Sequence, residues 1–184
     1  MPIKFISLKK FVFYSLLTLG FASTSIAQKS ILDIGIRVQK TVNLYTENGL
    51  TINYSNKKFK RDKLYFGFTY VSSRIGTAYH SNAIKQDNFL LSAGYYFKRN
   101  HSLRPFVKLN TGYFYADYGD KMFDVLPHQS IMIMPETGLI YKMHIPLKVT
   151  LSLGYNVITG NGTNGPGTLY PLNYAVGLTW NFIK

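Results

Sequence analysis

The sequence predicts an all-β chain: an eight-stranded, antiparallel, up-and-down transmembrane β-barrel, preceded by a cleavable signal peptide. Three observations carry that expectation. Apolar residues recur at every second position through most of the chain beyond residue 30, the period of a strand with two unlike faces. The polar phase of this alternation carries glycine where a water-facing strand usually carries Lys and Glu. The first 27 residues have the charge and apolar run of an export signal.

Composition narrows the alternatives. At 184 residues the chain fits one domain with a short appendage. It is 16% charged and 16% aromatic, with 15 Tyr, 13 Phe and one Trp, which excludes a disordered chain. The absence of cysteine excludes a disulfide scaffold, a Cys-ligated zinc module, a thiol nucleophile and a lipidated N-terminal Cys.

Residues 1–10 contain Lys4, Lys9 and Lys10 and no acid, and an apolar run follows over residues 11–22. Ser25 and Ala27 supply the small-x-small pattern, so cleavage is placed after Ala27. The run is too short to cross about 30 Å of hydrocarbon as a helix. The domains are thus a signal peptide over 1–27 and a barrel over 28–184, the latter with 18 basic and 8 acidic residues.

The strands follow in order. Leu32, Ile34, Ile36 and Val38 alternate with Asp33, Gly35, Arg37 and Gln39. Leu50, Ile52 and Tyr54 make a short second segment. The third holds Leu64, Phe66, Phe68 and Tyr70, and the fourth Phe89, Leu91, Ala93, Tyr95 and Phe97. Val107, Leu109, Thr111, Tyr113 and Tyr115 make the fifth. The sixth runs from Ile131 to Tyr141, where Pro135 on the apolar phase predicts an edge or a bulge. The seventh (Leu147 to Val157) and eighth (Leu172 to Phe182) alternate without interruption.

Short, mostly basic connections follow the second, fourth and sixth segments: NKKFKRD, RNHSLR and MHI. Mostly longer ones, around TENG, SRIGTAYHSNAIKQ, ADYGDKMFDVLPH and TGNGTNGPGTLYP, follow the odd segments. That asymmetry is the habit of membrane barrels, with the short turns facing the periplasm.

Seven segments place a glycine on the polar phase: Gly35, Gly67, Gly94, Gly112, Gly138, Gly154 and Gly177. An eight-stranded barrel has little interior room, so glycines leave space for a few long side chains. The apolar phase meets lipid, with Tyr70, Phe97, Tyr113, Tyr115, Tyr155, Tyr174, Trp180 and Phe182 as its aromatic girdles.

The alternating segments and the last strand, LNYAVGLTWNF, resemble the small outer-membrane β-barrel family, the OmpA/OmpX-like or porin-family barrels. The resemblance covers nearly all of 28–184 and is one of pattern. It implies an outer-membrane location in a Gram-negative bacterium and delivery by the barrel-insertion machinery. That machinery reads a terminal aromatic in many members; here Phe182 lies two residues before the end.

The polar phase places Asp33, Arg37, Lys108, Glu136, Lys142 and Lys148 in or near the lumen, where charges must pair. A connection centred on residue 122 sets Lys108 opposite Glu136, which predicts an ion pair across the strands. The basic turn residues Lys57, Lys58, Lys60, Arg61 and Lys63, with Lys98, Arg99 and Arg104, form a rim facing anionic lipid head groups. Five acids, Glu47, Asp87, Asp117, Asp120 and Asp124, sit in or beside the opposite loops. This polarity fits a membrane orientation and not a nucleic-acid groove.

An enzymatic alternative rests on His128, Ser130 and Glu136, since lipid A deacylases of the PagL type are small barrels with a His-x-Ser pair and a Glu. There the site faces outward, whereas Ser130 and Glu136 share the inward phase. The string Tyr79-His80-Ser81-Asn82-Ala83 lacks the required spacing. No metal motif is present, because Asp117, Asp120 and Asp124 lack the spacing of a calcium loop. GNGTNGPG lacks the Lys-Ser/Thr of a phosphate loop.

The expected protein is a monomer without metal or cofactor and without a catalytic residue. It contacts outer-membrane lipid and lipopolysaccharide and leaves room for an extracellular or cell-wall partner, whose identity the sequence does not give. It acts in envelope integrity, adhesion or partner binding through its long loops. The alternatives are a lipid A deacylase-like enzyme and a soluble periplasmic lipocalin-like barrel.

Overall fold

The computed structural model describes residues 30–41, 46–56, 58, 63–75, 84–98, 101–119, 121, 127–158, 161–162, 165–166 and 171–182. The signal peptide expected over 1–27 lies outside them. Eight strands form the wall: β1 (Ser30–Thr41), β2 (Thr46–Asn56), β3 (Leu64–Ser72), β4 (Ile84–Tyr96), β5 (Leu103–Tyr118), β6 (Gln129–Lys142), β7 (Leu147–Tyr155) and β8 (Leu172–Asn181). Each pairs antiparallel with the next, and β8 pairs with β1, so the sheet closes. Closure removes every edge, as a strand wall in hydrocarbon requires.

The register fixes the shape. Cross-strand partners run from Ile31 through Ser55, Tyr65, Gly94, Lys108, Glu136, Gly154 and Asn173 to Thr41. One circuit therefore climbs ten residues, from Ile31 to Thr41. With standard strand spacings, eight strands and that stagger give a tilt of about 40° and a backbone radius of about 8 Å. One mouth, the turn end, carries the β2–β3, β4–β5 and β6–β7 connections, the start of β1 and the end of β8. The other is the loop end.

The two phases separate as alternation requires. Ile36, Leu50, Leu91, Leu109, Ile131, Leu151, Leu153, Val176 and Leu178 all point outward and are exposed. A soluble barrel would turn these inward to make its core. The opposite phase holds most of the buried polar groups, among them Asn88, Asn110, Asn173, Thr41 and Glu136. Polar inside and apolar outside is the distribution that hydrocarbon selects.

The inward phase is less uniformly polar than its sequence suggests. Leu90, Phe114, Ala116, Met132 and Met134 form a buried cluster on β4–β6 towards the loop end. Tyr65, Tyr96, Phe106 and Ile140 form a second towards the turn end, where the two tyrosine rings stack at 4.3 Å. Long β5 and β6 stand above the shorter strands at the loop end, and their inner face needs apolar filling.

Three details correct the expectations. TENG is not a turn: β2 already begins at Thr46, and Glu47 is a fully buried inward residue, not a loop acid. Pro135 makes neither an edge nor a bulge. Its partner Leu109 sits in an unbroken ladder between β5 and β6, because the missing N–H points the other way, towards β7. There the pairing skips Met134 and Pro135, ending at Glu136 opposite Gly154 and resuming at Ile133 opposite Val157. The proline thus costs one bond on one seam.

The third concerns the glycines. Only Gly67, Gly94 and Gly154 make room for side chains: a Cβ on Gly94 would lie 2.2 Å from Tyr65 Cζ, and those on Gly67 and Gly154 would meet Asn53 and Asn173. At Gly35, Gly112 and Gly138 the neighbouring strand's carbonyl occupies the place of the Cβ, within about 2 Å. Tight curvature of a narrow wall, more than lumen volume, calls for glycine there.

Candidate functional site

Glu136 is the hub of the lumen. It sits on the inward phase of β6 and its side chain is fully buried. Arg37 Nη1 donates to its Oε1 at 2.9 Å, having crossed the closing seam from β1. Lys108 Nζ, on the cross-strand partner residue, lies 3.0 Å from Oε2. Asn110 Nδ2 donates to the same oxygen at 3.1 Å and to Met134 O at 2.9 Å. Two cations and an amide therefore satisfy one carboxylate away from water, the condition under which a buried charge is tolerated.

From this hub a chain of hydrogen bonds runs towards the loop end. Arg37 Nε donates to Gln39 Oε1 at 2.9 Å, and Gln39 Nε2 donates to Glu47. Asn88 Nδ2 donates to the other Glu47 oxygen at 2.6 Å, and Gln86 Nε2 donates to Asn88 Oδ1 at 2.7 Å. Gln39, Gln86 and Asn88 were not among the candidate lumen residues, and Glu47 was read as an acid in or beside a loop. Their parity with Arg37 or with Gly94 was the available signal.

Asp33 and Lys148 do not join the hub. They pair with each other near the turn end at 2.5 Å, with Asn181 Nδ2 donating to Asp33 at 2.9 Å. The expected single ionic cluster is two groups, because Asp33 lies four residues from Arg37 along a tilted strand. Lys142, at the last position of β6, is exposed at the mouth and not in the lumen.

The turn-end rim is described only in part. Lys58, Lys63 and Lys98 lie in or beside the connections there, and Lys63 Nζ stands 6.0 Å from the Tyr95 ring. Arg104 turns into the mouth, and its Nε donates to His101 O at 3.0 Å. Lys57, Lys60, Arg61 and Arg99 lie outside the described residues. Of the girdle residues, Phe97, Trp180 and Phe182 are exposed at the turn end, and Tyr113, Tyr115, Tyr155 and Tyr174 towards the loop end. Tyr70 also points outward, with its ring 5.1 Å from that of Phe89.

At the level of that loop-end ring lies a charged contact on the outer face of β4, opposite Tyr115. Asp87 accepts from Arg74 Nε at 2.7 Å, Ser72 Oγ at 2.5 Å and Tyr70 Oη at 2.9 Å.

The enzymatic constellation does not assemble. His128 Nδ1 lies 3.3 Å from Ala116 O, and its ring packs 5.2 Å from Tyr118. Ser130 Oγ donates to Ile131 O, and Glu136 is spent on Arg37 and Lys108. Ser130 and Glu136 stand six residues apart on one strand, about 20 Å, and both face the lumen. The string 79–83 and the acids Asp120 and Asp124 lie outside the described residues; Asp117 is exposed at the loop end. In GNGTNGPG, residues 161–162 and 165–166 form a short antiparallel pair. Among the described residues no group of three His, Asp or Glu could hold a metal ion.

No known family signature matches the chain, and no curated protein resembles it in sequence. Solved structures do resemble it. The N-terminal β-barrel domain of Pseudomonas aeruginosa OprF superimposes with a TM-score of 0.59 at 18% identity, over 84% of this chain and 98% of that one. Neisserial surface protein A gives 0.51 at 16% identity, over 83% and 96%. Ail, the attachment invasion locus protein of Yersinia pestis, gives 0.50 at 15%, over 83% and 97%. At such identities the likeness concerns architecture: the chain has the fold of the small eight-stranded outer-membrane β-barrels.

Proposed function

We propose that this protein is a non-enzymatic integral protein of a Gram-negative outer membrane, exported with removal of residues 1–27. Its turn end faces the periplasm and its loops face the outside. The observation that carries the reading is the exposed belt of Leu, Ile, Val, Tyr and Phe around a closed, side-chain-filled lumen. Such a belt aggregates in water and is at rest only in lipid.

With the lumen occupied by the Glu136 hub and two apolar clusters, the chain is a wall-filling anchor for what it displays outside. Adhesion or partner binding through the loops, or a contribution to envelope integrity, follows from that design. Ail, similar in fold, is by its name an attachment protein. The basic residues at the turn end suit anionic head groups, and the aromatic Phe182 near the C-terminus suits capture by the insertion machinery. The barrel acts as a monomer.

The test combines membrane fractionation with gel mobility before and after heating. The protein should sediment with outer membranes, resist extraction without detergent and migrate faster unheated. Recovery in the osmotic-shock fluid would reject the reading. Planar bilayers should record no large stable conductance. Replacing residues 119–128 by a short Gly-Ser turn should leave the barrel folded and lower binding to cells or matrix.

A further inference from the structure

A cleft of about 550 Å³ crosses the outer side of the wall from Leu64 on β3 to Leu172 on β8. Its bed consists of the small outward residues Ala93, Pro135 and Thr137 and of backbone at Gly94 and Gly154. Five interstrand steps separate its ends, about 24 Å. With the strands tilted by about 40°, the cleft climbs about 15 Å towards the loop end, half the thickness of a hydrocarbon core. Its size and apolar lining are those of a ligand site, and it is continuous with the exposed apolar belt.

The cleft also holds the seam where Pro135 interrupts the ladder. Met143 N donates to Leu147 O in continuation of the β6–β7 register. Counting back by twos, Pro135 belongs to the same set and faces Tyr155. Such a pair exchanges two bonds, and Pro135 has no N–H to give the Tyr155 carbonyl. A carbonyl without its ladder donor is costly in a wall that meets hydrocarbon, and a donor from outside relieves that cost. The Thr137 hydroxyl, two residues on from Pro135, is already spent on Phe106 O at 3.0 Å.

We propose that the cleft holds one acyl chain of an outer-leaflet lipopolysaccharide, with the 3-hydroxyl of that chain donating to the Tyr155 carbonyl. The assignment builds on the outer-membrane orientation proposed above. Tyr155 lies in the loop-end girdle, the level at which outer-leaflet chains join their head groups. A hydroxyl three carbons down the chain therefore enters beside the carbonyl, and the rest of the chain lies along the bed towards Leu64. A phospholipid chain fits the same bed but brings no donor. A second barrel presents a convex wall whose own N–H groups are spent in its ladders.

Native mass spectrometry of the full-length barrel in detergent tests this. The probes are lipid A with free 3-hydroxyls on its primary chains, a synthetic lipid A lacking those hydroxyls, and a phospholipid. The hydroxylated form should be held about five- to tenfold more tightly than the deoxy form. Pro135→Ala returns the ladder N–H, so it should abolish that preference while the deoxy form still binds. Ala93→Trp fills the bed from the lipid side, where residue 93 is exposed, and should weaken both forms. If Pro135→Ala does not fold, the parent's preference and Ala93→Trp decide. Equal affinity for the two lipid A forms overturns the proposal, as does a preference that survives Pro135→Ala or binding undiminished in Ala93→Trp. Tighter binding of phospholipid, or a lipid-free dimer abolished by Ala93→Trp, assigns the cleft to another occupant and overturns it too. Heat-modifiable mobility of the same samples and fractionation of cells report the folded barrel and its membrane separately, so a failure here is distinguishable from a failure of the outer-membrane reading.

Discussion

Replacing Glu136 by glutamine removes one negative charge and almost no volume, so it isolates the electrostatics of the hub. In the parent, Arg37 and Lys108 sit 2.9 and 3.0 Å from opposite oxygens of the carboxylate, all three side chains being at least nine-tenths buried. With charge centres about 4 Å apart and an effective dielectric constant of about 20, each attraction is about 4 kcal/mol. Repulsion between the two cations takes back part of the pair's sum, and the amide oxygen of Gln retains a hydrogen bond. The two cations then remain buried without a counter-charge, and the net loss is about 3–5 kcal/mol. Urea unfolding of the barrel in detergent, followed by heat-modifiable gel mobility and by the fluorescence of the single Trp180, measures it. Adding Lys108→Met to Glu136→Gln should restore more than half of the loss, since it removes an orphan charge. If Glu136→Gln unfolds within about 0.5 kcal/mol of the parent, or the second change deepens the loss, the ionic account of the lumen is wrong.

Further outcomes follow from the same coordinates. Gly94→Ala places a Cβ 2.2 Å from Tyr65 Cζ and so displaces the ring from Tyr96; a loss of about 1–3 kcal/mol is expected in the same urea assay. Gly177→Ala, with ordinary contacts only, should stay within about 0.5 kcal/mol of the parent. Trp180 projects outward at the turn end and is 43% exposed; lipids brominated near the head group should quench it more than lipids brominated at the chain ends. Equal quenching by aqueous acrylamide before and after reconstitution would place it in water. Asp87→Asn weakens the acceptor shared by Arg74, Ser72 and Tyr70 and should raise protease cleavage after residue 74.

Much of the wall was legible because alternation is a local property. Leu151, Leu153, Val176 and Leu178 declare one face by parity alone, and a hairpin centre at 122 puts Lys108 beside Glu136 without knowledge of any other strand. Glu47 was misread for an equally local reason. An acid beside Asn and Gly looks like a turn, and only the continuation of β2 back to Thr46 turns it inward. Pro135 was misread because its effect depends on which neighbour its missing N–H would have faced. That is set by the hydrogen-bonding phase of two ladders at once.

The sequence by itself determined the number of strands, their order, and which stripe of each meets lipid, because side-chain direction in a strand depends only on counting by twos. Tertiary structure alone decided what meets across the lumen. Arg37 reaches Glu136 from ninety-nine residues away, and Asp33 pairs with Lys148 apart from them. These contacts follow from the ten-residue stagger at which β8 joins β1, a quantity that belongs to the closed ring and to no single strand.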